Sequence, residues 1–402
     1  MKHKFLSIIF ILITSIYLTG CRKALDKEQD FPVSKAKETV KKEPETKPKK
    51  KKVPIQERVK LEPYKFTRGL YLTAYTVASE RFDPILKQAK NSYINTVVFD
   101  LKNMNGNIFF DLQNNLFQTQ DNIVSIIDLA SLVDKLHENN FRAVARIVMF
   151  HDQFLAEHFP ELRPTSKTDS VWQESQRRVP SWLDPSHPGV QQNLLNIIEE
   201  AARLGIDEIQ LDYVRFPTQG NLSDAQFRFE AKDRELAARD SNYVYRSKKD
   251  IIDVFLKKVR HITWKYDTTL TADIFAIVAW QFDVDIQNTG QNINLMSQNL
   301  DALHPMVYSS HFAKNFSYRK NIHNEPFYIV YKCSKLVEDN IKGKCRNIPY
   351  IQANPWRVNF KEEYIHAQIA AVQTAGANGF LLWNSSNKYQ RVLQWVKSFY
   401  DK

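Results

Sequence analysis

Three aspartates occupy places from which a carboxyl group can act on a bound molecule. Asp212 falls near the end of residues 206–213 (IDEIQLDY), Asp273 in 269–275 (TLTADIF) and Asp100 in 95–101 (NTVVFDL). Each segment reads as a β-strand, in which residues two apart share a face. Ile209 and Leu211 suit a covering helix layer, so Gln210 and Asp212 point the other way. Leu270, Ala272 and Ile274 likewise leave Thr269, Thr271 and Asp273 on the opposite face. Val98, Asp100 and Lys102 share a face, as do Val144, Arg146 and Val148 in 142–149 (RAVARIVM). A buried carboxyl needs a partner, or its pKa rises. One carboxyl held protonated beside one held ionised is the pair that glycoside hydrolysis uses. The structural alternatives are a loop cap for Asp212 and an ion pair of Asp273 with Arg146 or Arg215. Lys102 is the expected neutraliser of Asp100.

The elements that must position these groups alternate along the chain. Strands are expected at 69–75, 95–101, 142–149, 206–213, 269–275, 302–308, 348–353 and 379–383. Helical spacing falls between them at 83–90, 127–138, 193–204, 250–266, 291–300, 327–337 and 362–374, with a closing helix at 390–399. Gly205 and Gly376 stand where helices commonly stop. Eight strands alternating with helices predict a parallel sheet covered outside, here a (β/α)8 TIM barrel with long loops after strands three and four. A doubly wound open sheet is the alternative, but no Gly-rich phosphate turn follows the first strand. Active sites of such barrels lie at the C-terminal ends of the strands, which is where Asp212 and Asp273 fall.

Charge and composition narrow the class. Apolar residues make up 43% of the 402 residues, enough for a packed core, and the formal net charge is +11. Residues 1–62 carry +8 of that charge, and the remaining 340 carry only +3. The basic excess is therefore a tail, and nucleic acid is not an expected partner. Lys2 and Lys4 precede an apolar run from Phe5 to Leu18, shorter than a bilayer span. Residues 1–21 thus read as an export signal, and Leu18-Thr19-Gly20-Cys21 resembles a bacterial lipobox with Cys21 as the lipidated residue. Residues 22–62 are rich in Lys, Glu and Pro and read as a disordered linker. The expected organisation is signal 1–21, linker 22–62 and barrel 63–402, as an exported, membrane-anchored envelope lipoprotein, monomeric. Cys333 and Cys345 are compatible with either a disulfide or two buried thiols.

Strand after strand, the local motifs resemble one family. RGLYLTAY, VVFDLKN with GNI, ARIVMFHD, WLDP, DEIQLDYVRFP, TADIF, HPMVYSSHF and GFLLWN are similar to the bacterial "putative glycosyl hydrolase" barrels, grouped with the α-amylase-like glycosidases. The resemblance covers about Thr67 to Tyr389. It implies a carbohydrate substrate, with Asp212 at the nucleophile position ending strand four and Asp273 at the acid position on strand five. The chain departs from the wider clan in carrying Asp rather than Glu on strand five. It also carries Gln210 where the clan has Arg; Arg146 on the neighbouring strand is the candidate replacement. A chitinase-like reading would need a Glu where Val214 stands.

Further residues fall around the expected mouth. Tyr308 and His311 follow strand six, Gln352 and Asn354 lie on or after strand seven, and Trp383 ends strand eight. Arg215 follows Asp212 and is suited to orienting it or to binding an anion. Trp172, Trp182, Trp280 and Trp356 are further stacking candidates for sugar rings. Asp100, Arg146, Arg215, Tyr308, His311, Gln352 and Trp383 are the expected substrate-binding set. His304 and Asp184 read as structural. No metal-ligand spacing is present, and no cofactor is expected.

Overall fold

Period-two runs of β-branched and aromatic residues become strands wherever one face meets helices and the other meets its own kind. In the computed structural model, which describes residues 59–402 apart from 114–115, 169 and 176, eight such strands close into a parallel barrel. They are β1 (Thr67–Leu72), β2 (Thr96–Lys102), β3 (Arg142–Val148), β4 (Glu208–Asp212), β5 (Thr269–Phe275), β6 (Ala302–Val307), β7 (Tyr350–Gln352) and β8 (Gly379–Trp383). β1 pairs with both β2 and β8, so the sheet has no free barrel edge and the open doubly wound alternative is excluded. The signal segment, Cys21 and most of the expected linker lie outside the described residues.

Helices α1 (Phe82–Lys90), α2 (Leu129–Glu138), α3 (Pro188–Arg203), α4 (Lys248–Lys265), α5 (Asp283–Thr289), α6 (Pro326–Ile341), α7 (Glu362–Thr374) and α8 (Gln390–Tyr400) wrap the outside. The helix expected at 291–300 is a single turn, Ile293–Met296, preceded by α5. Gly290, in the left-handed region at φ 75°, ends α5 and breaks the run. Among the described residues, no helix is long and apolar enough to cross a membrane.

The alternation read from the sequence separates two apolar clusters. Val97, Phe99, Ala145, Ile147, Ile209, Leu211, Ala272 and Ile274 belong to the large cluster under the helices. Tyr71, Val98, Val144, Ala302, Tyr350 and Leu381 form a second one inside the barrel. Cys333 is buried and Cys345 partly buried, both as free thiols, so the disulfide option does not hold.

The loops after β3 and β4 are long, as expected, and are knitted together. Thr165–Ser166 pairs antiparallel with Ala225–Gln226 across them. Asp184 accepts hydrogen bonds from Ser186 N (2.8 Å) and, on its other oxygen, from Arg228 N (2.7 Å). Burial pushes its carboxyl up to about 6. It is a structural tie, as its place in WLDP suggested.

The barrel floor is closed by residues expected in the linker. Lys60 Nζ donates to the Asp267 carbonyl (2.9 Å) and to the carbonyl of Tyr266, and Leu61 N donates to Asp207 Oδ1 (2.9 Å). Inside that floor, Arg142 pairs with Glu208 (3.2 Å), which also accepts from Thr271 Oγ1 (3.0 Å). His304 Nε2 stands 3.6 Å from the same carboxylate, while its Nδ1 meets the Ile348 carbonyl. Burial works against the Glu208 charge, but His304, Arg142 and Thr271 together hold its carboxyl down at about 2.

Candidate active site

Four strands carry the polar centre. Asp100 comes from β2, Arg146 from β3, Gln210 and Asp212 from β4 and Asp273 from β5, all on the interior face. Register places Asp100 beside Arg146, Arg146 beside Gln210, and Val148 beside Asp212. Period-two alternation therefore aims every one of them into the barrel, and β4 ends at Asp212 at its open rim.

Arg146 organises the cluster. Its Nε and Nη2 donate to Asp212 Oδ2 at 3.0 and 2.5 Å, and its Nη1 donates to Asp100 Oδ1 at 2.5 Å. Tyr71 Oη donates to the other Asp100 oxygen at 2.6 Å. The guanidinium also lies 5.5 Å from the Tyr71 ring centre and 5.7 Å from that of Trp383. Burial opposes its charge, yet Asp212 and Asp100 hold its pKa well above the ordinary arginine range. Burial pushes Asp100 upward, against the pull of Arg146 and Tyr71. Arg146 thus supplies the positive charge that Gln210 does not. Lys102, expected beside Asp100, instead pairs with Asp152 (2.8 Å) and donates to the Val148 carbonyl, both side chains fully buried.

Asp273 is held differently. Among the described residues no guanidinium pairs with it; Gln210 Nε2 lies 2.8 and 3.0 Å from its two oxygens and 2.8 Å from Tyr350 Oη. Burial and then the neighbouring Asp212 charge push its carboxyl well above the usual range, which favours the protonated form. Gln210 Oε1 is buried without a hydrogen-bond partner. Turning that amide over would present this oxygen to the Asp273 proton. Asp212 and Asp273, on neighbouring strands, are 4% and 1% exposed.

The backbone after Asp212 is unusual. Tyr213 sits in the left-handed region at φ 52°, and its N–H donates to Asp212 Oδ1 at 2.6 Å. Such strain in an aromatic residue persists only where surroundings over-determine it, and it collects at functional sites. His151 packs on this corner, 4.9 Å from the Tyr213 ring and 5.0 Å from Trp182. Burial pushes its imidazole down to about 3, which keeps it neutral.

These side chains sit on a chain whose residues 69–389 match the family described as "Putative glycosyl hydrolase domain". The chain belongs to that family. Solved structures with the same fold include the PgaB (BpsB) glycoside hydrolase domain from Bordetella bronchiseptica (14% identity, TM-score 0.58, covering 82% of this chain and 98% of that one). Another is α-L-fucosidase isoenzyme 2 from Paenibacillus thiaminolyticus (12%, 0.55, 84% and 49%). A third is an exo-β-N-acetylglucosaminidase from Vibrio harveyi (10%, 0.50, 84% and 54%). A comparison with curated proteins found no match. The family's name and the carboxylate pair both describe a glycosidase-type barrel.

The remaining expected residues of this family member divide into two groups. Trp383 lines the cluster, stacked 4.2 Å from Tyr71, with Tyr308 6.2 Å beyond. His311 packs between Tyr308 (5.1 Å) and Trp356 (5.0 Å), and burial lowers its imidazole to about 4. Gln352 differs from the open sugar donor expected of it. Its Nε2 donates to the Asn354 and Trp356 carbonyls, and its Oε1 accepts from Ser310 N and Tyr364 Oη. Both ends of the amide are filled, so it holds the loops after β6 and β7 in place. Trp172 is also a loop-core residue, its indole donating to the Asn221 carbonyl. Arg215 makes no hydrogen bond to Asp212; it lies among aromatic rings. Sequence reasoning passed over Tyr71, Gln210 as an amide clamp, His151 and Tyr350. The first lies in RGLYLTAY and the third in ARIVMFHD, but alternation alone does not say which neighbours meet across strands.

Proposed function

We propose that this protein is a glycoside hydrolase in which Asp273 donates a proton to the glycosidic oxygen and Asp212 attacks the anomeric carbon. The observation that carries this reading is the difference between neighbours: Asp212 on β4 is held by the Arg146 guanidinium, while Asp273 on β5 is held by the Gln210 amide and pushed toward its protonated form. Asp273 loses its proton to the departing oxygen as the glycosidic bond breaks, and Asp212 forms an ester to the sugar. The Asp273 carboxylate then takes a proton from water, whose oxygen displaces Asp212. Asp212 Oδ2 accepts both Arg146 bonds, whereas Oδ1 accepts only from Tyr213 N and keeps a lone pair for the attack. Arg146 meanwhile fixes the carboxylate's orientation. Placement on adjacent strands supports the short carboxyl spacing of roughly 5–5.5 Å and retention of configuration. Trp383 offers an aromatic face for an apolar sugar face. The N-terminal pattern supports an exported enzyme tethered to the membrane through lipid on Cys21.

The test is a panel of envelope and environmental polysaccharides assayed for released reducing ends. Release by the wild type and not by Asp212→Asn supports the reading. Equal release by both removes Asp212 from the chemistry. The competing reading is a non-catalytic carbohydrate-binding barrel, for which the absence of an arginine at Gln210 on β4 argues. Arg146 supplies that charge from β3, which favours the enzyme. Glycan binding with no release by any form would favour the binding protein.

A further inference from the structure

Arg215 is 6% exposed, yet no carboxylate is paired with it among the described residues. Its guanidinium carbon lies 4.2 Å from the ring centre of Phe275, 4.5 Å from Trp182 and 5.2 Å from Tyr213. These rings fix the plane of the group and soften the cost of burying its charge, but they accept no strong hydrogen bonds. Nη1 is already used, donating to the Phe216 carbonyl at 3.0 Å and facing Thr218 Oγ1 at 3.4 Å. Nε and Nη2 have no partner among the described residues and are not sealed from solvent. That Nε–Nη2 edge is the one with which Arg146 grips Asp212, and it can donate in parallel to two oxygens of one oxyanion. The position is equally specific. Arg215 lies three residues past Asp212, after the strained Tyr213 corner, and Phe275 ends β5 two residues after Asp273.

We propose that Arg215 is the anion-binding group of a sugar subsite beside Asp212, and that the saccharide this enzyme takes carries an acidic group. The inference rests on the glycosidase reading for its substrate class. The chemistry is an oxyanion on a pyranose, from either a ring carboxylate or a sulfate ester. The Arg146 charge is already matched by two buried carboxylates, Asp100 and Asp212, so it is not the anion's partner. An acidic ring held at Arg215 would sit by the Tyr213 corner, next to the carboxylate that attacks.

The experiment is calorimetric titration of the full chain with D-glucuronate, D-glucose 6-sulfate and D-glucose. Charge-assisted bidentate binding predicts at least about tenfold tighter binding of an acidic sugar than of glucose. The arm that binds tighter identifies the carboxylate or the sulfate. Arg215→Gln should erase the preference, and Arg215→Lys should keep part of it, with melting temperatures checking that both fold. Equal binding of acidic and neutral sugars by the wild type overturns the proposal, whatever the variants do. So does a preference that survives Arg215→Gln. This readout needs no cleavage. A lasting preference with no reducing ends from any polysaccharide would remove the hydrolase and leave the subsite. Cleavage of neutral glycans with no acidic preference would do the reverse.

Discussion

The barrel has two ion-lined ends built from the same parts. At the floor, Arg142 of β3 meets Glu208 of β4; four residues further along each strand, Arg146 meets Asp212. The floor matches one arginine to one carboxylate and adds Thr271 and His304 around it. The mouth sets one arginine among three carboxyl groups, Asp100, Asp212 and Asp273. The consequence is a shift in opposite directions. Glu208 is held down at about 2, whereas Asp273 is pushed well above the usual carboxylate range. A balanced ion pair is scaffold; an excess of acid over base leaves a proton available for chemistry.

Asp212→Asn should test the contrast most severely. It removes the attacking group, and kcat per folded molecule should fall by roughly 10³–10⁴-fold; the melting temperature should fall as well, because Arg146 loses one of its two buried carboxylates. Asp273→Asn should lower kcat by about 10²–10⁴-fold on natural glycosides. The loss should be far smaller on nitrophenyl glycosides, whose leaving group departs without a proton; equal losses on both substrates would deny Asp273 the donor role. In the wild type, activity should decline on the alkaline side as Asp273 gives up its proton. That limb should be missing from the residual rate of the Asn variant.

Glu208→Gln should behave in the other way. Removing one partner of a buried pair costs about 3–5 kcal/mol, read by denaturant unfolding, with kcat per folded molecule unchanged within a few-fold. The pH dependence follows from the depressed carboxyl. A folded-state value near 2 against an ordinary one near 4.5 stabilises the native form above about pH 4.5. That contribution, about 3 kcal/mol, is lost as pH falls toward 2. The variant should lack this acid limb. If it instead lost activity and kept stability, the floor would be part of the site. Asp100→Asn should have the mildest effect, an approximately tenfold fall in kcat/KM as Arg146 loses its second anchor, about 1.4 kcal/mol.

Much of this was legible before any coordinates. Strict alternation in IDEIQLDY and TLTADIF separates helix-facing Leu211 and Ile274 from inward Asp212 and Asp273, because a one-residue error would expose the whole apolar set. The same alternation also turns Glu208 inward, but nothing local distinguishes a floor acid from a mouth acid. Pairings between strands were harder. That Arg146 takes Asp212 and Asp100, and Gln210 takes Asp273, depends on barrel register rather than on spacing within a strand. Lys102 was assigned to Asp100 by proximity along β2, yet Asp152 offers it a fully buried carboxylate. Gln352 resembled a free donor because its partners come from three separate segments.

The Lys60–Leu61 strap fixes where the polypeptide enters the barrel: beneath β4 and β5, at the pole opposite Asp212. Residues 60 and 61 are therefore part of the folded barrel, and a chain beginning after residue 61 would leave Asp207 Oδ1 and the Tyr266 and Asp267 carbonyls without the donors that Lys60 and Leu61 give.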